Sequence, residues 1–233
     1  MTGRVIVFDV NETLLDIESL TPVFDDIYGD PAAMREWFAQ LVLYSMTLTL
    51  SQTYVDFFTL GRAVAQMLAD TRGVTVSDTQ LTDLASAMSE MPAHPDVEAG
   101  LTSLREAGHR LVTLTNSPTN ADRPSPLDNA GLAGYFERQF SVDPCRAFKP
   151  DPAVYRQVCA DLDVPPADCT MVAAHVWDTI GAQAFGMQGA LITRPGNATL
   201  RAAGIAQPDF IATDLPDFAR QLGTNVEARR RPR

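Results

Sequence analysis

The stretch Arg4-Val5-Ile6-Val7-Phe8-Asp9-Val10-Asn11-Glu12-Thr13 decides the fold of this 233-residue chain. Its first half is a short apolar run rich in β-branched residues, which is typical of a buried strand. A polar loop that begins at Asp9 follows this strand directly. Since open parallel sheets bind ligands beyond the carboxyl ends of their strands, the stretch predicts both a central strand and a functional loop.

Four further strand patterns follow along the chain, and helical patterns alternate with them. The strands are predicted at 110–115, 170–174, 188–193 and 210–211, and the helices at 96–107, 127–132, 151–162 and 178–185. Strands that alternate with helices predict an α/β fold with a Rossmann-like parallel sheet.

The segment from residue 16 to 92 is different, because its pattern is almost purely helical. One helix is predicted to open at Asp30-Pro31, a second to run from Ser51 to Leu68, and a third to follow the capping-box sequence Ser77-Asp78-Thr79-Gln80. The chain is therefore predicted to form three parts: a core of residues 1–15 and 93–222, a helical cap of residues 16–92 inserted after the first strand, and a flexible basic tail of residues 223–233.

Composition excludes several classes of function. The chain has 29 acidic and 18 basic residues, a net charge of −11, which argues against a nucleic-acid partner. The arginines at 229, 230, 231 and 233 are interpreted as a solvated tail. Apolar runs are too short for a membrane span or a signal peptide. We therefore expect a cytoplasmic protein that acts on a small molecule.

The cysteines and the single lysine carry separate information. Cys145, Cys159 and Cys169 follow no CxxC spacing, so neither a disulfide framework nor a zinc site is expected. The basic residues are 17 arginines and one lysine, Lys149. In a composition so biased toward arginine, Lys149 either has no special role or occupies a position where only lysine can function.

Candidate site residues follow three of the predicted strands and precede one of the predicted helices. They are Asp9, Asn11 and Thr13 after the first strand, Thr115 and Asn116 after the second, Lys149 before the helix at 151–162, and His175, Trp177 and Asp178 after the next strand. Their convergence on one sheet edge predicts a single site.

These residues, in this order and spacing, resemble the four motifs of the haloacid dehalogenase superfamily over the whole chain except the tail. Asp9 and Thr13 match the nucleophile motif and Thr115-Asn116 the second motif. Lys149 with Pro150 and Asp151 matches the third, and Asp178 the fourth.

Most members of that superfamily are magnesium phosphatases, and this chain departs from them at two places. The position of their second aspartate, two residues after the nucleophile, holds Asn11, which has no carboxyl proton to donate. In the fourth motif Ala173-Ala174-His175 leaves Asp178 as the remaining acid. Since Mg²⁺ prefers oxygen ligands that include carboxylates, both changes point away from phosphoryl transfer.

The chain resembles instead the L-2-haloacid dehalogenase (type II) branch, which uses no metal or other cofactor. Tyr155 matches the pocket tyrosine of that branch, Trp177-Asp178 its Trp-Asp pair, and the helical segment its cap. The resemblance implies that the Asp9 carboxylate displaces halide from a 2-haloalkanoic acid. Water then hydrolyses the aspartyl ester to a 2-hydroxy acid, so that one difficult displacement becomes two easier steps.

The same resemblance implies roles for the surrounding residues, each with a simpler alternative. Lys149 would keep Asp9 ionised. The alternatives are that Asp9 caps the N-terminus of a helix and that Lys149 is a surface lysine. Thr13 and Thr115 would hydrogen-bond the nucleophile or the substrate carboxylate, or else act as local turn hydroxyls. Asn116 would face the leaving group.

Asp178 would orient the hydrolytic water or hold Lys149, with N-capping of its own helix as the alternative. His175 stands where the family commonly has Asn, so it is either a general base near neutral pH or a hydrogen-bonded supporting group. Tyr155 is either a pocket wall that donates to the substrate carboxylate or part of the helix core.

The cap carries the largest departure. The dehalogenases place an arginine on the first long cap helix to receive the halide and the substrate carboxylate, and the matching position here is Phe38. Arg35 and Arg62 are the nearby candidates to replace it. The apolar run from Trp37 to Phe58 is interpreted as packing between cap, core and a second copy of the chain in a homodimer, or as an unusually apolar pocket.

Four functions stay open on the sequence. The leading one is a metal-independent haloacid dehalogenase, and a variant of it opens a strained small ring, such as that of a cyclic amino acid, with the same nucleophile. The others are a Mg²⁺-dependent phosphatase and a non-catalytic binding module. If Lys149 supports Asp9, Lys149→Arg is expected to abolish turnover and leave the fold intact, because a planar guanidinium does not replace a compact ammonium.

Overall fold

The computed structural model of the protein describes residues 3–119 and 123–230, the last six of them by backbone alone. Six parallel strands form one sheet, in the order β3-β2-β1-β4-β5-β6. The strands are β1 (Val5–Phe8), β2 (Arg110–Thr115), β3 (Arg138–Ser141), β4 (Cys169–Ala173), β5 (Gln188–Ile192) and β6 (Phe210–Ala212). The prediction of an α/β fold with a parallel, Rossmann-like sheet is confirmed.

Nine α-helices accompany the sheet in the described part of the chain. They are α1 (Thr21–Tyr28), α2 (Ala33–Leu50), α3 (Phe57–Arg72), α4 (Asp78–Ser89), α5 (Val97–Glu106), α6 (Pro126–Asn129), α7 (Pro152–Leu162), α8 (Val176–Phe185) and α9 (Leu215–Arg230). The four helices α1 to α4 follow one another between β1 and α5, so the segment that the sequence pattern marks as helical contains no strand of the sheet.

The central position of β1 follows from its composition. All four of its residues are buried, and it pairs with β2 on one side and β4 on the other. Strands covered on both faces read as continuous apolar runs, which is why this stretch contains no polar residue. The strand order reverses direction at β1, so the loops after β1, β2 and β4 border the crevice where such sheets bind ligands.

The boundaries of the helical segment are set by local caps. The capping box is confirmed: the Ser77 side chain accepts from the Gln80 amide and the Gln80 side chain accepts from the Ser77 amide. The predicted helix start at Ser51 is wrong, because Asp56 has an extended backbone and its carboxylate caps the amides of Phe58 and Thr59. Helix α3 therefore begins at Phe57.

Two elements near the sheet were not predicted. Strand β3 escaped notice because its sequence, Arg-Gln-Phe-Ser, has one large apolar residue; it is an edge strand that pairs with β2 alone. Helix α9 continues through Gly223 to Arg230 and so includes most of the segment that was predicted as a tail. Leu215, Phe218 and Leu222 anchor that helix in the core. The last three residues of the predicted tail lie outside the described residues.

Among the described helices, none has the length and apolar character needed to cross a membrane.

Candidate active site

Asp9 stands at the carboxyl end of β1 and is the centre of the site. The residue is 5% exposed, and its amide continues the ladder by donating to the carbonyl of Val172 on β4. Oδ1 accepts from Lys149 Nζ at 2.7 Å, and Oδ2 accepts from the Thr13 hydroxyl at 2.7 Å. The Asp9 side chain thus makes no N-cap contact of the kind that the alternative interpretation required.

Burial alone would favour the protonated form of Asp9. The positive charge of Lys149, helped by that of His175, outweighs this effect and holds the pKa of Asp9 well below its usual range. Asp9 is therefore an ionised carboxylate at neutral pH, as a nucleophile must be.

Lys149 is completely buried, which removes the alternative of a surface lysine. Its Nζ donates to Asp9, to Asp178 Oδ2 at 2.7 Å and to the carbonyl of Leu114 at 2.9 Å, so all three of its protons are used. Burial would lower the pKa of this ammonium, but the charges of Asp178 and Asp9 raise it above its usual value. Lys149 is therefore a permanent positive charge behind the nucleophile.

Asp178 lies in the first turn of α8 and is also completely buried. Its Oδ1 accepts from the Tyr155 hydroxyl at 2.7 Å, while Oδ2 is taken by Lys149. Burial raises the pKa of Asp178, and the charge of Lys149 opposes that effect. Both carboxylate oxygens accept from protein donors, so Asp178 holds Lys149 in place.

Tyr155 packs in the core, the second of its two interpretations. It is completely buried on α7, donates to Asp178 and is not among the described residues that line the pocket in front of Asp9. Gly181 on α8 makes this packing possible: a Cβ there would lie 2.7 Å from the Tyr155 hydroxyl and 2.4 Å from Pro150 Cβ. The absence of a side chain at residue 181 brings α8 close to the loop that carries Lys149.

Thr13 connects two of the strand ends. Besides donating to Asp9, its hydroxyl accepts from the Ala174 amide at 2.8 Å, and its carbonyl accepts from the guanidinium of Arg194. Thr13 therefore fixes the orientation of the Asp9 carboxylate relative to the end of β4.

A small pocket opens in front of Asp9. Its lining residues are Asp9, Asn11, Phe38, Val42, Phe57, Thr115, Asn116, His175 and Trp177. Six of the seven predicted substrate-contacting residues are in this set, and Tyr155 is the exception; sequence reasoning missed Val42 and Phe57.

The polar wall of the pocket comes from the core. Asn116 accepts from the Lys149 amide through Oδ1 at 3.1 Å, and Asn11 donates to the Ser117 hydroxyl at 3.2 Å. The Thr115 hydroxyl accepts from the Ser117 amide at 3.1 Å, so Thr115 shapes the turn as well as lining the pocket. The two side-chain amides and this hydroxyl are the neutral polar groups available to a bound substrate.

The cap wall of the pocket is apolar. Phe38, Val42 and Phe57 come from α2 and α3, and no arginine is among the described residues that line the pocket. Arg35 does not fill the place of the missing arginine, because its guanidinium pairs with Glu12 and Glu18 instead. Arg62 is not part of the lining either.

His175 provides a cation on the core side. Its ring lies between Phe38, at a centroid distance of 5.5 Å, and Trp177, on which it stacks at 5.1 Å. Nε2 is 2.7 Å from Glu12 Oε2, and Nδ1 is 3.5 Å from Asp9 Oδ2. Burial would lower the pKa of His175, but the two carboxylates raise it to about 9. His175 is therefore an imidazolium at neutral pH, and not a free base in the resting enzyme.

Glu12 is a charged residue of this site that sequence reasoning missed. It is 2% exposed, and its backbone is left-handed with φ of 65°. Arg35 and the Asn197 side chain, at 2.8 Å, hold its Oε1, and its Oε2 is left to His175. The signal available in the sequence was an acidic residue directly between the predicted site residues Asn11 and Thr13.

The arrangement does not fit Mg²⁺. An ammonium group bridges Asp9 and Asp178, and the second oxygen of Asp178 is bound by Tyr155. Within the described ranges no cluster of three or more His, Cys, Asp or Glu side chains has the geometry of a metal site. With an amide at residue 11 and no acid among residues 173–175, two of the acidic side chains of a magnesium phosphatase are also replaced.

Known proteins share this arrangement of elements. Residues 4–186 match the family model of the haloacid dehalogenase-like hydrolases. The chain is 32% identical over 193 residues to (S)-2-haloacid dehalogenase 1 of Pseudomonas sp. (strain CBS-3), a match that covers 82% of this chain and 85% of the relative.

Solved structures with the same fold are also similar to this chain. The L-2-haloacid dehalogenase of Xanthobacter autotrophicus superposes with a TM-score of 0.85 at 26% identity, over 95% of this chain and 99% of the other. A second structure of that enzyme, with chloropropionic acid covalently bound, superposes with a TM-score of 0.84 at 25% identity over the same shares of the two chains.

Proposed function

This chain belongs to the haloacid dehalogenase-like hydrolases, and from that premise we propose that it hydrolyses the carbon–halogen bond of short (S)-2-haloalkanoic acids. The observation that carries the proposal is the buried ion chain from Asp9 through Lys149 to Asp178, placed behind a small pocket. This chain of charges keeps the Asp9 carboxylate ionised while its outer face remains directed at the pocket.

The first step is an attack by Asp9 on the carbon that bears the halogen. An oxygen lone pair of Asp9 forms the new C–O bond, and the C–X pair leaves as halide. The rigid contacts of Lys149 and Thr13 hold the carboxylate in one orientation, which reduces the entropic cost of reaching the transition state. Water then attacks the carbonyl carbon of the aspartyl ester and releases a 2-hydroxy acid.

The polar and apolar walls of the pocket contact different parts of the substrate. The amides of Asn11 and Asn116 and the hydroxyl of Thr115 are neutral hydrogen-bonding groups for the carboxylate and halide, and His175 adds a positive charge. Phe38, Val42 and Phe57 contact the alkyl chain from the cap side. The small size of the pocket favours acids of two or three carbons over longer ones.

The test is halide release from L-2-chloropropionate by the purified protein, with EDTA and separately with Mg²⁺. Release that is equal in both supports the proposal, and Asp9→Asn should release none. In ¹⁸O water under single-turnover conditions, label must enter Asp9, because water attacks the ester at the carboxylate carbon. Phosphate release from p-nitrophenyl phosphate that depends on Mg²⁺ would contradict the proposal.

A second candidate is ring opening of a strained cyclic amino acid by the same nucleophile. The observation that favours it is the replacement of a cap cation by Phe38 together with the imidazolium of His175, which can donate a proton to a leaving nitrogen. A leaving halide needs no such proton. Product formation from a four-membered cyclic amino acid at a higher kcat/KM than from L-2-chloropropionate would select this candidate.

We also propose a homodimer and a cytoplasmic location. Leu43 and Leu50 on the second half of α2 and Val55 in the loop after it are 57%, 85% and 42% exposed, which supports an apolar contact with a second copy. The location is supported by the three cysteines, whose number and spacing match no disulfide framework of a secreted protein. Light scattering on wild type and Leu50→Asp tests the dimer, and fractionation of cells that express the chain tests the location.

A further inference from the structure

His175 has a ring nitrogen with no hydrogen-bond partner beside the carboxylate of Asp9. Nδ1 is buried and unpartnered, and it faces Asp9 Oδ2 at 3.5 Å, which is too long for a well-formed hydrogen bond. The opposite nitrogen, Nε2, is held by Glu12 at 2.7 Å. The ring is thus oriented by one carboxylate and directed at the other.

The backbone conformation and several hydrogen bonds hold Glu12 in one position. Its left-handed backbone is uncommon for a residue with a side chain, and such conformations persist where the surroundings enforce them. His94 contacts its carbonyl at 3.0 Å, while Arg35 and Asn197 bind Oε1. The remaining oxygen, Oε2, is therefore fixed opposite His175 Nε2.

The pocket offers few other bases. Of the described residues that line it, Asp9 and His175 are the ones with titratable side chains, and Asp9 is esterified when water attacks. Asp178 is completely buried and is not among the described residues that line the pocket. His175 is left as the group within reach of a water molecule beside the ester.

The charge state of His175 changes as the reaction proceeds. In the resting enzyme Asp9 and Glu12 both stabilise the imidazolium. Each of these carboxylates is in turn paired with a cation, Asp9 with Lys149 and Glu12 with Arg35. The Lys149 ammonium also lies 5.6 Å from the ring of Trp177, on which His175 stacks. Esterification removes the negative charge of Asp9. Burial then favours the neutral imidazole, so the pKa of His175 falls at the stage when a base is needed.

We propose that His175, positioned by Glu12, is the general base of the second half-reaction. This inference rests on the proposed function, since it requires an ester on Asp9. His175 is the catalytic residue in this step, and Glu12 is a positioning residue that fixes the tautomer and orientation of the ring.

The step balances without any further reactant. After halide leaves, His175 releases its proton to solvent, which accounts for the one proton that the overall reaction yields. Nδ1 then takes a proton from water as the water oxygen bonds to the ester carbon of Asp9. The tetrahedral intermediate expels the 2-hydroxy acid oxygen, which takes that proton back from His175. Asp9 is left as a carboxylic acid, and its proton passes to His175, restoring the ion pair.

The experiment separates formation of the ester from its hydrolysis. Wild type, His175→Gln and Asp9→Asn are mixed with L-2-chloropropionate and quenched at intervals, and both released halide and the intact mass of the protein are measured. Glutamine keeps a polar group at residue 175 that cannot accept a proton at neutral pH. We expect His175→Gln to release one equivalent of halide in a burst and to hydrolyse the adduct at least about 100-fold more slowly than wild type.

The pH profile of hydrolysis tests the role of Glu12. The rate of adduct loss in wild type should rise with pH as His175 in the esterified enzyme loses its proton. Glu12→Gln removes a negative charge next to Nε2, so the midpoint of that rise should move to lower pH. If Glu12 were merely structural, the midpoint would stay in place while the amplitude fell.

The outcomes distinguish this inference from the function on which it rests. If wild type forms no adduct and releases no halide, the proposed function fails. If wild type turns over and His175→Gln hydrolyses its adduct at the wild-type rate, the inference is overturned and the function stands. Loss of alkylation in a folded His175→Gln also overturns the inference. Should that variant not fold, an unshifted midpoint in Glu12→Gln overturns it.

Discussion

Two charged clusters meet at Asp9, and they differ in how completely their groups are satisfied. The lysine cluster is Lys149, Asp178 and Tyr155; all three are completely buried, and every proton of the ammonium has an acceptor. The histidine cluster is His175, Glu12 and Arg35, with one unpartnered ring nitrogen and an arginine side chain that is 36% exposed. The first cluster can only hold a charge in place, whereas the second is able to change its protonation state.

This difference assigns the two clusters to different tasks. A fully satisfied, fully buried network is rigid and strongly penalised when one member is removed. A cluster with an open site and a route to solvent can exchange protons during turnover. The predictions below separate the clusters by the size and the pH dependence of their effects.

The largest effect is expected from Lys149→Met. It leaves Asp9 and Asp178 as buried, unpaired carboxylates, so the free energy of unfolding should fall by about 3–5 kcal/mol and halide release should vanish. Urea denaturation and the halide assay measure these effects. Lys149→Arg is the matched control: it keeps the charge and should unfold closer to wild type, yet without turnover. Near-normal activity in Lys149→Arg would show that the lysine is not required.

The next effect is a pH dependence of stability that belongs to the histidine cluster. The pKa of His175 is raised to about 9 in the folded protein from 6.5, so the stabilisation is fully present below about pH 6.5 and is lost as pH rises through about 9. The difference in unfolding free energy between wild type and His175→Gln should shrink by about 3 kcal/mol between those limits. A difference that stays constant across that range would contradict a charged His175.

A smaller effect is expected from Tyr155→Phe. The buried Asp178 Oδ1 loses a hydrogen bond to a charged group, which should cost about 1.5–3 kcal/mol of stability and slow the enzyme without changing KM, since Tyr155 does not line the pocket. Tyr135→Phe is the control, because its hydroxyl bonds to exposed Glu98 at 3.2 Å and should matter by less than about 0.5 kcal/mol. A raised KM in Tyr155→Phe would place that hydroxyl in contact with substrate.

The smallest effect on stability is expected from Arg35→Gln. The Arg35 side chain is 36% exposed, so the loss should be no more than about 1 kcal/mol. Its removal leaves Glu12 more negative toward His175, so the midpoint of adduct hydrolysis should move to higher pH, opposite to the shift in Glu12→Gln. Arg72→Gln is the control, since Arg72 also pairs with two acids, Asp30 and Glu36, but does not touch Glu12. A shift of equal size in both variants would disconnect Arg35 from His175.

The sequence predicted the lysine cluster more completely than the histidine cluster. Asp9, Thr13, Lys149 and Asp178 follow strands or open helices of a regular parallel sheet, and the carboxyl ends of such strands meet at one edge. Strand β3 was missed because an edge strand with one large apolar side chain leaves little periodic signal. The start of α3 was missed because the preceding residues are compatible with a helix until the Asp56 cap intervenes.

The amino-acid sequence by itself determined the α/β sheet, the helical segment after β1 and the identity of the nucleophile with its lysine, because these depend on periodicity and on topology. Tertiary structure decided which way each side chain points. It turned Tyr155 toward Asp178, placed Phe38 against His175, and brought Arg35 on α2 to Glu12, 23 positions earlier in the chain. Such contacts depend on the packing of the cap helices and on the left-handed backbone of Glu12, and neither is encoded in a local pattern of residues.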